Sequence, residues 1–211
     1  MELLLIRHGR PHSVHATAGT GADPGLTDAG RAEAELLGRY LTAGPGPVPD
    51  VVYASPMRRA LETAAEITSR ATVPLRHDDR LREFDSGAAS YVPPETDAAG
   101  PAAKAAQWRA LETGVWGTHR FDPVDFARRV AAAFDDFIAA HASAVVAVVC
   151  HSGVINSFVG AVLARPRGMF FQPGYTSVSR VAAARSGRRQ LLSLNETSHL
   201  RPVHHPDPTR T

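Results

Sequence analysis

Two histidines occupy similar places in this sequence, because each one closely follows an apolar run and has a glycine within the next two residues. His8 comes just after the run at residues 2–6, and His151 comes just after the run at 144–149. Neutral imidazole is a competent nucleophile near pH 7, since its ordinary pKa is about 6.5. Arg7 stands next to His8 and adds a permanent positive charge. Together these residues predict chemistry on an anionic group such as a phosphoryl group.

Phosphoryl transfer needs a nucleophile, cationic donors for the phosphate oxygens, and an acid that protonates the leaving oxygen. Arg58 and Arg59 fall in the first turns of a predicted helix, where anions are favoured. Glu83 and Asp85 supply carboxyl groups further along the chain. Ser152 follows His151 at a predicted strand-to-helix turn, whose backbone N–H groups would face the same crevice.

Periodicity predicts alternating strands and helices. Short apolar runs indicate strands at residues 2–6, 51–54, 73–76 and 144–149, with a closing hairpin of 176–184 and 190–194. Helical spacing indicates helices after the N-caps Thr27 and Ser55, near 102–112, from Pro123, and over 154–163. The helix from Pro123 has a predicted inward face of Ala127, Val130, Phe134, Phe137 and Ile138.

This alternation predicts a three-layer α/β/α fold with a mostly parallel central sheet. Ligands of such sheets bind beyond the carboxyl ends of the strands. His8, Ser55 and His151 all follow predicted strands, so three loops are expected to converge on one crevice. Residues 1–200 are expected to form one domain, with a lid-like insertion at about 85–120 and a loose tail at 201–211.

Composition limits the classes of partner that the protein is expected to have. The 211-residue chain is 44% hydrophobic, and its formal net charge is only +2, which suits a small anionic substrate and gives little support for nucleic acid. No apolar run is long enough to span a bilayer, so no membrane association and a cytoplasmic location are the default expectations. With Cys150 as the single cysteine, no Cys-based metal cage is expected. The sequence leaves the oligomeric state open, and a homodimer would be unsurprising.

Each signal also has a structural interpretation when taken alone. His8 could be a hydrogen-bonded structural residue, and Arg58 and Arg59 could be solvated helix charges. Four other histidines could suggest a metal site, but their spacing matches no standard one: His12, His15, His204 and His205.

The combination is more specific than any of its parts. Residues 5–9 (LIRHG) resemble the opening motif of the histidine phosphatase superfamily, the phosphoglycerate mutase-like group. Further matches follow in order at residues 26–30, 55–64, 81–83, 149–155 and 194–200, so the resemblance runs over roughly residues 3–200. It implies a phosphoglycerate mutase-like fold and phosphomonoester hydrolysis without a cofactor or metal.

The resemblance also assigns roles. It implies that His8 becomes a phosphohistidine, and that Arg7, Arg59 and His151, with Ser152 beside them, bind the phosphate. Glu83 matches the proton donor of the family, and Arg59 rather than Arg58 matches its phosphate-binding arginine.

Two departures from the family pattern leave alternatives open. Residues 9–14 (GRPHSV) lack the usual amide, so Arg10 or Ser13 is a candidate substitute. Residues 84–88 (FDSGA) replace the usual segment after the donor, so Asp85 stays an alternative to Glu83. A phosphoglycerate mutase and a non-catalytic module that binds a phosphorylated ligand are the competing functions.

Overall fold

The computed structural model describes residues 1–16, 21–93, 100–165 and 167–201. Within them, the chain forms five α-helices: α1 (Asp28–Thr42), α2 (Arg58–Thr68), α3 (Pro101–Glu112), α4 (Pro123–Ala140) and α5 (Ser152–Val162). The strands are β1 (Glu2–Arg7), β2 (Val14–His15), β3 (Val51–Ala54), β4 (Leu75–His77), β5 (Ser90–Tyr91), β6 (Val115–Trp116), β7 (His119–Arg120), β8 (Val145–Cys150), β9 (Val178–Ala183) and β10 (Arg189–Glu196).

The central sheet has six strands in the order β10-β9-β1-β8-β3-β4. The strands β1, β8, β3 and β4 run parallel, and the hairpin β9–β10 adds two antiparallel strands at one edge. This confirms the prediction of a mostly parallel sheet closed by a hairpin. It also places the carboxyl ends of β1, β8 and β3 side by side.

Helices cover both faces of the sheet, as predicted. Alternate residues of β1 point to opposite faces, so Leu3 and Leu5 pack with α4 and α5, whereas Leu4 and Ile6 pack with α1 and α2. Both sets are completely buried. The three-layer α/β/α architecture therefore follows from two apolar cores that share one sheet.

The predicted helix starts were correct where a side chain can cap the first turn. Thr27 accepts a hydrogen bond from the backbone N–H of Gly30, and Asp122 accepts from Val124 and Asp125 at the start of α4. Ser55, by contrast, was wrongly predicted as an N-cap. The helix α2 begins at Arg58, and its N-cap residue is Met57.

Other predicted boundaries differ from the observed ones by a few residues. The strand predicted at 73–76 lies at Leu75–His77. On α4, Phe126 is buried and Ala127 is only half-buried, so the predicted inward face was wrong at Ala127. Among the described residues, no helix is long and apolar enough to cross a membrane. Residues 94–99 of the predicted insertion and 202–211 of the predicted tail lie outside the described residues, and the domain limits stay a prediction.

Candidate active site

The loops after β1, β3, β4 and β8 meet at one cavity beyond the carboxyl ends of the strands. Its wall includes the predicted site residues Arg7, His8, Arg59, Glu83, Asp85 and Ser152. His151 lies behind this wall, completely buried, with its ring centroid 5.1 Å from that of His8. Groups as far apart in sequence as Arg7 and Ser152, 145 positions, are thus brought together by the parallel pairing of β1, β8 and β3.

His8 is held at the end of β1 by backbone hydrogen bonds. Its N–H donates to Cys150 O over 3.0 Å, and its own carbonyl accepts from Thr176 N at 3.4 Å. On the ring, Nδ1 lies 2.8 Å from the carbonyl oxygen of Gly9. A carbonyl can only accept, so Nδ1 carries the proton and Nε2 of the neutral ring keeps its lone pair.

The charge state of His8 suits a nucleophile. Burial, followed by the positive charges of Arg59 and Arg7, holds the pKa of His8 well below its ordinary value. The imidazole is therefore neutral at pH 7, with Nε2 unprotonated.

Arg59 is completely buried and is fixed from several sides. Its Nη2 donates to both carboxylate oxygens of Asp85 at 2.9 and 3.0 Å, and its guanidinium lies 4.6 Å from the ring centroid of Tyr91. Its Nη1 is buried and finds no hydrogen-bond acceptor among the described residues. A buried donor of this kind is costly unless a ligand accepts from it.

Arg58 behaves differently, although it is the next residue. Its side chain is 65% exposed and pairs with Glu62 at 2.6 Å. The two arginines differ because Arg59 lies on the buried face of α2 and Arg58 on the solvent face. The structure thus places Arg59, and not Arg58, in the cavity wall.

Arg7 supplies the second buried guanidinium. Its Nη1 donates to the carbonyl of Pro173 at 2.7 Å, and the guanidinium carbon lies 3.9 Å from the ring centroid of Tyr175. Because the cation stacks on an aromatic face, its orientation beside His8 is fixed.

His151 uses both ring nitrogens in this structure. Its Nδ1 accepts from Arg59 Nε at 3.2 Å, so Nε2 carries the proton and donates to Ser55 Oγ at 2.8 Å. Burial, followed by the charge of Arg59, holds the pKa of His151 well below its ordinary value. In this state His151 orients Arg59.

Glu83 has the properties of a general acid. Its Oε2 accepts from Gly153 N at 2.7 Å, at the N-terminus of α5, and its Oε1 accepts from Phe84 N at 3.1 Å. Burial, followed by the negative charge of Asp85, raises the pKa of Glu83 to about 7. The carboxyl group is therefore protonated in a substantial fraction of molecules at neutral pH.

The remaining candidates have more ordinary surroundings. Ser152 is half-buried, and its Oγ accepts from Gln172 Nε2 at 3.3 Å. Arg10 pairs with Glu33 and Ser13 is exposed, and neither is among the described residues that line the cavity. Burial raises the pKa of the Cys150 thiol, which argues against a reactive thiolate.

The described part of the structure gives no support for a metal site. No cluster of three or more His, Cys, Asp or Glu side chains is arranged for a metal ion within the described ranges. His204 and His205 lie outside those ranges.

Three residues that shape the site were given no catalytic or binding role from the sequence. Tyr175 stacks on Arg7, Ser55 accepts from His151, and Thr63 Oγ1 accepts from Gly9 N at 3.0 Å. Ser55 had a sequence signal in its place after a strand, and Thr63 lies within the matched motif at residues 55–64. The roles of Tyr175 and Thr63 depend on contacts between distant parts of the chain.

Comparison with known proteins agrees with this geometry. The family model of the histidine phosphatase superfamily (branch 1) matches residues 3–197. The chain therefore belongs to the histidine phosphatase superfamily. This confirms the resemblance drawn from the sequence motifs.

Individual relatives of this protein are named as phosphatases or as mutases. A glucosyl-3-phosphoglycerate phosphatase from Mycolicibacterium vanbaalenii is 30% identical over 174 residues, which cover 78% of this chain and 75% of the relative. A 2,3-bisphosphoglycerate-dependent phosphoglycerate mutase from a Nocardioides species is 40% identical over 90 residues, but these cover only 41% of this chain and 36% of the mutase.

Among solved structures, a phosphoserine phosphatase from Entamoeba histolytica superposes with a TM-score of 0.70. The alignment covers 94% of this chain and 98% of that protein at 21% identity. This likeness confirms the phosphoglycerate mutase-like fold.

Proposed function

We propose that this protein hydrolyses phosphate monoesters through a phosphohistidine on His8, without a metal ion. The observation that carries the proposal is the hydrogen bond from His8 Nδ1 to the carbonyl of Gly9, at 2.8 Å, beside two buried guanidiniums. It leaves Nε2 as the nucleophilic nitrogen in a cavity suited to an anion.

The first step transfers the phosphoryl group to His8. Nε2 attacks phosphorus, the bond from phosphorus to the ester oxygen breaks, and Glu83 gives its proton to the leaving oxygen. Arg7 and Arg59 neutralise the oxygens of the transferring group. The pKa of Glu83, raised to about 7, supports its role as the donor.

The second step restores the enzyme. Water attacks phosphorus, the N–P bond breaks, and the Glu83 carboxylate takes the proton of the water. Inorganic phosphate leaves, His8 is neutral again, and Glu83 is protonated again. Splitting one displacement into two is the advantage of covalent catalysis.

Asp85 is better suited to positioning than to proton donation. Both of its oxygens accept from Arg59 Nη2, so it fixes the guanidinium and leaves Nη1 available to a ligand. His151 is proposed to join the phosphate site when a dianion is bound, because a nearby negative charge favours the imidazolium form.

The substrate is proposed to be a small phosphorylated metabolite of the phosphoglycerate type. The name of the relative from Mycolicibacterium vanbaalenii supports this class. The cavity is also lined by Gln107, Trp108 and Trp116 from the segment 101–116, and these side chains are proposed to contact the leaving group.

A mutase is the second candidate, because the partial match to phosphoglycerate mutases favours it. The two differ in the acceptor of the phosphoryl group, which is water in a phosphatase and a second phosphoglycerate in a mutase. Incubation of 3-phosphoglycerate with a bisphosphate primer separates them, since a mutase yields 2-phosphoglycerate and a phosphatase yields inorganic phosphate. Turnover of neither an aryl phosphate nor phosphoglycerate would indicate a binding module.

The proposal is tested by trapping the intermediate. Substrate is mixed with the protein, the reaction is quenched in base, and the peptide carrying His8 is examined by mass spectrometry for an added phosphoryl group. His8→Asn should lose the adduct and reduce turnover by at least about a thousandfold, while His12→Asn, at a nearby exposed histidine, should retain both. Turnover should also survive dialysis against a chelator. Near-normal activity of His8→Asn would exclude the mechanism.

A further inference from the structure

A second cavity lies next to the phosphate site, between α4, α5 and the segment that follows α5. Its volume is about 290 Å³, and four aromatic rings form much of its wall: Phe84, Phe121, Phe126 and Phe158. Protein interiors are normally close-packed. A cavity of this size is comparable with the smaller ligand sites of proteins, which are mostly apolar with a few polar groups.

The rim of this apolar cavity is positively charged. Arg165, Arg167 and Arg189 line it, and Glu112 supplies the one carboxylate among its described lining residues. Arg189 also pairs with Asp135, but its Nε is buried and finds no acceptor in the described part of the chain. The excess of guanidinium groups favours a ligand that carries negative charge.

We propose that this cavity binds an amphipathic carboxylate, with the hydrocarbon or aryl body among the four rings and the carboxylate at the arginine rim. Apolar surface supplies most of the affinity in such a site. Guanidinium groups match a carboxylate in charge and in hydrogen-bond geometry. A neutral molecule of the same shape would form no ion pair with these arginines.

The cavity is coupled to the phosphate site through shared walls. Phe84, Leu111 and Met169 line both cavities. Phe84 directly follows Glu83, and its ring stacks on Phe121 with centroids 5.2 Å apart. Gly153, which donates to Glu83, also lines the apolar cavity. A bound carboxylate therefore presses on the segment that holds the proposed acid, and it should alter turnover without competing with phosphate.

Titration calorimetry with decanoate, below its micelle concentration, tests the site directly. The expected result is saturable binding of one decanoate per chain and much weaker binding of the neutral decanamide. Ala131→Phe places a ring in the cavity and should weaken binding by at least about tenfold. Ala132→Phe, at the next and exposed position of α4, is the matched control and should bind as the parent does.

The charge of the rim is tested in the same way. Arg167→Gln should weaken decanoate binding by up to about fivefold, as for a partly exposed charge pair, and Arg188→Gln, exposed and outside the cavity wall, should not. Absence of saturable binding, or equal binding by Ala131→Phe and Ala132→Phe, would overturn the proposal. Displacement of decanoate by inorganic phosphate would also overturn it, because the probe would then occupy the phosphate site. These binding measurements do not require the proposed phosphatase chemistry.

Discussion

The backbone N–H of Gly153 donates to Oε2 of Glu83 over 2.7 Å, which ties the segment after β4 to the first turn of α5. This bond fixes the proposed acid on the same wall as His8. The close approach of Glu83 and Phe84 to this backbone also explains why position 153 is a glycine. A Cβ at position 153 would overlap Oε1 of Glu83 and would lie 2.6 Å from the ring of Phe84.

We therefore expect Gly153→Ala to displace Glu83 and Phe84 and to destabilise the protein by about 1–3 kcal/mol, as overpacking does. Gly160→Ala is the matched control in the same helix, because its Cβ would meet only Phe170, at 3.7 Å. That change should stabilise the protein by up to about 1 kcal/mol through helix propensity. Denaturant unfolding measures both, and equal effects would contradict the proposed packing of Glu83 against Gly153.

Glu83→Gln is expected to slow turnover in a manner that depends on the leaving group. The amide cannot give up a proton, so alkyl phosphates should lose about 10²–10⁴ in kcat. Aryl phosphates leave readily without protonation and should lose much less. Steady-state kinetics on one substrate of each type makes the comparison, and equal losses on both would favour Asp85 or another donor.

We expect kcat/KM to decrease on the alkaline side of its pH profile. Glu83 must be protonated to act as the acid, and its pKa is raised to about 7, so activity is retained below that pH and declines as the pH rises through it. His8 must be neutral, and its lowered pKa keeps it so in the mildly acidic range.

Because phosphate monoesters also titrate near pH 6, the pH profile of the parent protein needs a control. The profile of Glu83→Gln on an alkyl phosphate should lose the alkaline decline. If the decline persists unchanged in the variant, it does not belong to Glu83.

The two neighbouring arginines provide a matched pair. Arg59→Gln removes a buried guanidinium and leaves Asp85 buried without its partner, so it should cost about 3–5 kcal/mol of stability. Arg58→Gln breaks only an exposed pair with Glu62 and should cost about 1 kcal/mol or less. Thermal unfolding measures the difference.

The effect of inorganic phosphate on Tm shows whether Arg59 binds phosphate in addition to stabilising the fold. It should raise the Tm of the parent and of Arg58→Gln, and have little effect on Arg59→Gln. A phosphate-dependent rise of equal size in Arg59→Gln would remove that residue from the phosphate site.

Much of the architecture could be predicted from local patterns. The apolar runs before His8 and His151 indicated the two central strands, and Thr27 was correctly identified as a cap. These features depend on residues that are close in sequence, since periodicity and capping act over a few positions. The order of motifs also sufficed to indicate the histidine phosphatase superfamily.

The state of each site group was decided only by tertiary structure. Ser55 was expected to cap a helix, yet it accepts from His151, 96 residues away. The family resemblance favoured Glu83 and left Asp85 as the alternative, and local sequence patterns could not rank the two, because their difference arises from Arg59 and Gly153 on other elements. Parallel pairing of β1, β8 and β3 creates these contacts, and burial among them sets the protonation of His8, His151 and Glu83. Local sequence patterns contain neither the long-range pairing nor the desolvation that follows from it.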